Sequence, residues 1–230
     1  MLAKKKKISK KEIQEDKLVT SYYKFLDFYN EYQTKILSGL AIVAVIVVGS
    51  VIYINNLEEQ NQQANAEISR VIKFYEEKKF QEAIDGVPGT NMTGFLNVVD
   101  KYGGTEQGET AKIFLANSYY FLGKIDDAKK YYDDYSGSSN IYKASALAGL
   151  AGCYEAEDNF EKAASLFGDA AKVDKNNVSN PNYLLNAGIN YSKAGKKDKA
   201  KELFEVIKSE YKTSTEANQV NRYLEKLKLG

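Results

Sequence analysis

Residues 115–132 read LANSYYFLGKIDDAKKYY, residues 150–167 read LAGCYEAEDNFEKAASLF, and residues 187–204 read AGINYSKAGKKDKAKELF. Laid over one another, the three stretches agree at four places. A small residue (Ala116, Ala151, Gly188) is followed three positions later by Tyr119, Tyr154 and Tyr191, twelve later by Ala128, Ala163 and Ala200, and sixteen later by Tyr132, Phe167 and Phe204. The copies are 35 and 37 residues apart, a period at which each unit is one supersecondary element that cannot bury its apolar face alone. The spacing suits two antiparallel helices joined by a short turn. Such helices approach closely only where a small residue faces a small one, so Ala116 against Ala128, Ala151 against Ala163 and Gly188 against Ala200 set the crossing while the aromatics fill the space around them. The turns LGKIDD, AEDNFE and AGKKDK carry breaker chemistry.

Between copies a second element recurs: Tyr102-Gly-Gly-Thr105, Tyr135-Ser-Gly-Ser138 and Tyr211-Lys-Thr-Ser214. In each, a Tyr closes one helix and a hydroxyl residue can cap the next. Together these motifs resemble the tetratricopeptide repeat, a family of helix pairs, and the resemblance implies an all-α solenoid of about three to four pairs. A degenerate copy precedes them, with Val71, Phe74 and Ala83 at the matching offsets. Val71 lies 45 residues before Ala116, and the excess falls near GVPGTNMTG, a loop ahead of a helix at 95–101. Residues 216–229 read as a capping helix with a polar outer face, as a repeat stack requires.

Ahead of the repeats, residues 36–54 read ILSGLAIVAVIVVGSVIYI, nineteen residues without a charge. As a helix they span ~28 Å, enough to cross a bilayer. Twelve are Ile, Leu or Val, which favours insertion by a few kcal/mol. A cleaved signal peptide fits less well, because the stretch starts late, is long, and is followed by NNLEEQNQ instead of small residues. Lys4, Lys5, Lys6, Lys7, Lys10 and Lys11 precede the segment and Glu58 and Glu59 follow it, so the positive-inside rule puts the N-terminus in the cytoplasm and the repeats in the periplasm of a bacterial inner membrane. The net charge of +1 conceals this split: residues 1–35 carry +4 and the remainder −3. Leu18, Tyr22, Phe25, Tyr29, Tyr32 and Ile36 recur at spacings of four and three, forming an aromatic stripe that suits either a helix in the headgroup region or a membrane-protein partner. The expected organisation is a basic tail and amphipathic helix (1–35), a transmembrane helix (36–54), a helical extension (55–79) and a repeat domain (68–230), the transmembrane helix continuing to about Lys78.

The composition excludes much chemistry. Histidine is absent and Cys153 is the sole cysteine, so neither an intrachain disulfide nor a Cys/His zinc site can be assembled. Without His a Ser-His arrangement is impossible, and no Ser-Lys motif is visible. Residues 103–110, GGTEQGET, have the glycine spacing of a phosphate loop, but Glu109 stands where a Lys must meet the phosphates. Asp133-Asp134-Tyr-Ser-Gly lacks the distal Glu of a calcium loop. Cys153 fits a small buried position. Asn91-Met-Thr93 and Asn177-Val-Ser179 match glycosylation sequons, relevant only in a eukaryotic source. No basic cluster beyond the tail suggests nucleic acid. The expectation is a non-enzymatic protein with no cofactor, metal or small-molecule substrate.

Function should then lie in the groove formed by the first helices. By analogy with the family, the exposed groove positions are Ile113, Asn117, Tyr120, Ala148, Gly152, Glu155, Leu185, Ile189 and Ser192. Of the Lys, Arg and Asn residues that the family's carboxylate clamp needs, only Asn117 is in place, so apolar or unfolded segments are the expected ligands. The order of tail, membrane helix and repeats resembles the ancillary SecYEG translocon subunit family (YfgM-like), which implies association with SecYEG and a membrane-anchored periplasmic chaperone. A scaffold in cell division or outer-membrane assembly is the alternative.

Overall fold

The computed structural model describes the backbone of residues 10–229 and the side chains of residues 17–228. Lys4, Lys5, Lys6 and Lys7, and the side chains of Lys10 and Lys11, lie outside the described residues. The described chain is α-helical: α1 (Lys10–Glu76), α2 (Phe80–Asp85), α3 (Phe95–Tyr102), α4 (Glu106–Phe121), α5 (Ile125–Asp133), α6 (Asn140–Ala156), α7 (Phe160–Val173), α8 (Asn180–Lys193), α9 (Lys197–Glu210) and α10 (Thr215–Leu229). The chain divides into two compact units, Met1–Asn56 and Leu57–Gly230.

Within the first unit the amphipathic and apolar segments read from the sequence are one uninterrupted helix. With no Pro and only Gly39 and Gly49 in this part, the backbone ladder has no device that breaks it. None of the most apolar window is buried, and the aromatic stripe is also largely uncovered, Leu18, Tyr22 and Phe25 being 60–69 % exposed.

In the second unit the repeat offsets acquire a backbone meaning. Seven residues after each small residue, at Gly123, Asp158 and Gly195, the chain turns left-handed, with φ of 73°, 57° and 73°. The degenerate copy does the same at Lys78, φ 60°. In all four, the next amide donates to the carbonyl of the aromatic at offset three: Lys79 to Phe74 (2.8 Å), Lys124 to Tyr119 (2.9 Å), Asn159 to Tyr154 (2.9 Å) and Lys196 to Tyr191 (2.8 Å). The left-handed residue itself donates to the carbonyl of Tyr75, Tyr120, Glu155 or Ser192, each at 3.0 Å. This is the Schellman arrangement, which satisfies the carbonyls that a helix leaves open at its end. The chain reverses there, and the alanine at offset twelve (Ala83, Ala128, Ala163, Ala200) comes to rest fully buried.

The second helix of the degenerate pair is split. Gly86 (φ 82°) leaves α2, an excursion runs out, and Gly94 returns to begin α3, with an isolated bridge between Gly86 and Thr93 closing its neck. The neck admits only glycine: a Cβ on Gly94 would stand 2.0 Å from the Ile84 carbonyl oxygen. Past it, Phe95, Val98 and Tyr102 are buried in a cluster with Ala83, Val71 and Leu115.

Caps between repeats follow the expectation in two cases and depart from it in one. Thr105 accepts from the Gly108 amide (3.0 Å) and Ser214 from the Ala217 amide (3.1 Å). The cap of α6 is Ser139, which accepts from Tyr142 at 3.5 Å, one residue beyond Ser138. Ser138 is displaced because its amide, with that of Ser139, donates to the Glu106 carboxylate (3.1–3.2 Å). Glu109 holds the same turn by accepting from the Ser136 amide (2.7 Å) and from Lys112 (2.8 Å), whose ammonium also meets Asp134 (2.8 Å). Burial pulls the Lys112 ammonium down, but hydrogen bonds to Asp134 and Glu109 outweigh it and hold the group above its ordinary value.

Because only backbone geometry distinguishes the left-handed residues, Lys78→Gly should raise stability by about 0.5 kcal/mol, whereas Gly123→Ala, whose added Cβ meets nothing, should lower it by about 1 kcal/mol. The urea unfolding midpoints of the two variants check the opposite signs.

Candidate protein-binding groove

The first helices α4, α6 and α8 present their residues at three offsets from the small residue, three before, one after and four after. Exposure at all nine positions was the expectation, and none is exposed. Ile113 and Leu185, three before, are 4 % and 6 % exposed and are core. Ile113 packs with Ala116, Ala128 and Ala146, and Leu185 with Phe204, Ile207, Val220 and Leu224. The cause is the stacking itself: this offset faces the first helix of the next unit, where an apolar side chain is covered. Ala148, at the same offset in α6, is half-buried against the cluster around Leu166 and Phe167.

Offsets one and four form the remaining strip, Asn117, Gly152 and Ile189 beside Tyr120, Glu155 and Ser192, all half-buried. Three of these are tied into the fold. Asn117 donates to the Tyr75 hydroxyl (3.2 Å) and accepts from the Tyr132 hydroxyl, so one amide links three helices. Burial raises the pKa of both phenols, with the Asn117 hydrogen bond opposing it at Tyr75. Glu155 accepts from Asn190 (3.1 Å) and Lys193 (2.7 Å) across the α6–α8 junction. Tyr120 lies over Gly152, its hydroxyl 3.5 Å from where a Cβ would stand. Ile189 packs at the edge of the α8–α10 core, and Ser192 contributes its carbonyl to the Schellman turn. The strip is thus aromatic, amide and aliphatic, with Glu155 its one carboxylate, partly compensated by Lys193.

The repeat-packing residues lie where the helices cross. Ala116, Ala128, Ala151, Ala163 and Ala200 are fully buried, and Tyr132, Phe167 and Phe204 are buried beside them. Gly188 has no room for a side chain, since a Cβ would stand 2.4 Å from the Phe204 ring. Tyr119 stacks on Tyr131 (5.7 Å between centroids), while Tyr154 carries Lys129 over its ring (4.5 Å) and Tyr191 carries Lys199 (5.1 Å). The sequence reading missed Gly149, whose Cβ would stand 2.2 Å from the Tyr132 ring. Its neighbours in a row of small residues, Ala144, Ala146, Ala148, Ala151 and Gly152, were the available signal.

Cys153 is buried, and burial pushes its thiol up to about 11, well above where a reactive thiolate forms at neutral pH. No three His, Cys, Asp or Glu among the described residues are placed to hold a metal ion. A cleft of ≈ 490 Å³ lies away from the strip, between α9 and α10, and is lined by mixed charge including Lys197, Lys201, Glu205 and Glu225.

Removing the Asn117 amide leaves two partly buried phenols short of a partner. Asn117→Ala should therefore cost about 1–3 kcal/mol, against roughly 0.5 kcal/mol or less for Ser192→Ala, as read from paired urea denaturation curves.

A family model described as a tetratricopeptide repeat-like domain matches residues 26–229, a region that includes the apolar stretch as well as every repeat. No curated protein matches the chain.

Proposed function

The chain belongs to the tetratricopeptide repeat-like domain family, and from that membership we propose that it is a non-enzymatic adaptor, anchored in the bacterial inner membrane, that holds other proteins in the groove of its first helices. Such repeats are typically protein-interaction folds, and the strip of Asn117, Tyr120, Gly152 and Ile189 suits an apolar or extended segment better than a charged one.

The observation that carries the membrane half is the helix containing residues 36–54. It is the one helix among the described residues long and apolar enough to cross a bilayer, and none of its apolar window is covered by protein. In water, uncovered Val45, Ile46, Val48 and Ile52 forfeit burial worth roughly 1.5–3 kcal/mol each; lipid removes that penalty. The lysine excess before the stretch and the acidic residues after it orient the N-terminus to the cytoplasm and the repeats to the periplasm. In that location the resemblance to the ancillary SecYEG translocon subunits makes SecYEG and a membrane-anchored periplasmic chaperone the proposed partners, with clients met as they emerge.

Photo-crosslinking in living cells from Tyr120 and Ile189 tests this. Capture of a Sec component or such a chaperone is expected. Capture confined to division or outer-membrane assembly factors would replace the translocon role with a scaffolding one, and no adduct from either position would refute the groove.

A further inference from the structure

The proposed anchor leaves one face of the molecule unexplained, the aromatic stripe on α1. Leu18, Tyr22, Phe25, Tyr29, Tyr32 and Ile36 are spaced four, three, four, three and four apart, which is the heptad rhythm of a coiled-coil seam. Flanking positions widen it with Val19, Leu26 and Phe28. The opposite face is mostly polar, made of Thr20, Lys24, Asp27, Asn30, Glu31 and Thr34, with Tyr23 its one aromatic. In the described unit the seam is open at one end and shallower toward the other: Leu18, Tyr22 and Phe25 are 60–69 % exposed, Tyr29 is 37 % exposed, and Tyr32 and Ile36 are half-buried. Aromatic residues left open on this scale mark an interaction surface.

A bilayer surface is a poor occupant. Residues 17–35 belong to the same unbroken helix as residues 36–54. If the latter cross the membrane, the former continue away from it for roughly 28 Å and cannot lie in the headgroup plane without breaking the hydrogen-bond ladder, for which the sequence supplies no proline.

We propose that residues 18–36 pair with the same residues of a second copy of this chain, in parallel and in register, as a cytoplasmic stem. The seam is self-complementary, because a heptad stripe placed against its own copy in parallel sets each core position against itself. Membrane insertion with one orientation supplies the parallel arrangement, and to that extent the inference rests on the anchor proposed above. The area is sufficient. Five half-exposed rings offering about 100 Å² each, with Leu18, Val19, Leu26 and Ile36, remove roughly 1,500 Å² from both copies together, within the range of stable interfaces. Charge does not oppose the pairing: of the core and flanking positions only Lys35 is charged, and its ammonium sits 5.2 Å from the centroid of its own Tyr32 ring. The same register continues into the apolar stretch through Gly39, Val43, Ile46 and Ser50, where the small residues let helix backbones approach.

Single cysteines placed in the full chain test this in isolated membranes under mild oxidation, the native Cys153 being buried and the unsubstituted chain serving as its control. Tyr22→Cys, Phe25→Cys, Tyr29→Cys and Tyr32→Cys should give disulfide dimers, and Thr20→Cys, Lys24→Cys, Asp27→Cys and Glu31→Cys should stay monomeric, so that yield rises and falls with a period of 3.5 residues. Equal yields at all positions, no dimer at any, or adducts with a different protein would overturn the pairing. Because a cysteine removes the ring it replaces, two differently tagged unsubstituted chains expressed together should also copurify in mild detergent; failure to do so counts against the proposal. Carbonate extraction of the same membranes separates the two readings. A chain retained in the pellet without periodic crosslinks loses the pairing and keeps the anchor, whereas a chain released with periodic crosslinks keeps the pairing and loses the anchor.

Discussion

The close approach of two helix backbones at a small residue governs everything in Leu57–Gly230. At Gly188 the Phe204 ring occupies the space of the missing side chain, and at Ala116 and Ala128 both partners are fully buried within one cluster. From that contact the rest follows geometrically. The first helix must end soon after its small residue, so that the second can return along it with its alanine opposite. A left-handed residue seven positions on, with its hydrogen bond back to the aromatic carbonyl, accomplishes the reversal in four copies. The aromatics at offsets three and sixteen then have fixed neighbours, and successive pairs stack on the faces that remain apolar.

What the amino-acid sequence disclosed is what the repeats share. Ala116, Tyr119, Ala128 and Tyr132 were identifiable because the same offsets occur again at Ala151 and Gly188, and packing demands the same shapes each time. Even the irregular first pair was visible, because the excess between Val71 and Ala116 located the pinched excursion at Gly86 and Gly94. What occurs once was not visible. Glu109 drew notice only as an unsuitable member of a phosphate loop, yet it anchors the turn at Ser136; its equivalents in the next two copies are Ala144 and Pro181, so no periodic signal marked it. Gly149 and Tyr132 meet across neighbouring units, a contact that no single repeat encodes.

The groove was legible in outline and misjudged in depth. Offsets one and four after the small residue do form a strip, but the offset three before is closed over by the next first helix, which is why Ile113 and Leu185 are core residues. Of the remaining polar groups, Asn117 and Glu155 are engaged within the fold. In the proposed groove a partner would meet few uncompensated charges, and its binding would depend on shape and apolar contact more than on charge.

The proposed function requires the two ends of the chain to lie on opposite sides of a membrane. Val178, 93 % exposed in a turn between repeats, and Thr20, exposed on the polar face of α1, report the two sides when replaced singly by cysteine beside a native thiol that is buried. With a membrane-impermeant maleimide added to intact spheroplasts, Val178→Cys should label at once and Thr20→Cys only after lysis. Labelling of Val178→Cys that requires lysis, or immediate labelling of both, would contradict the account.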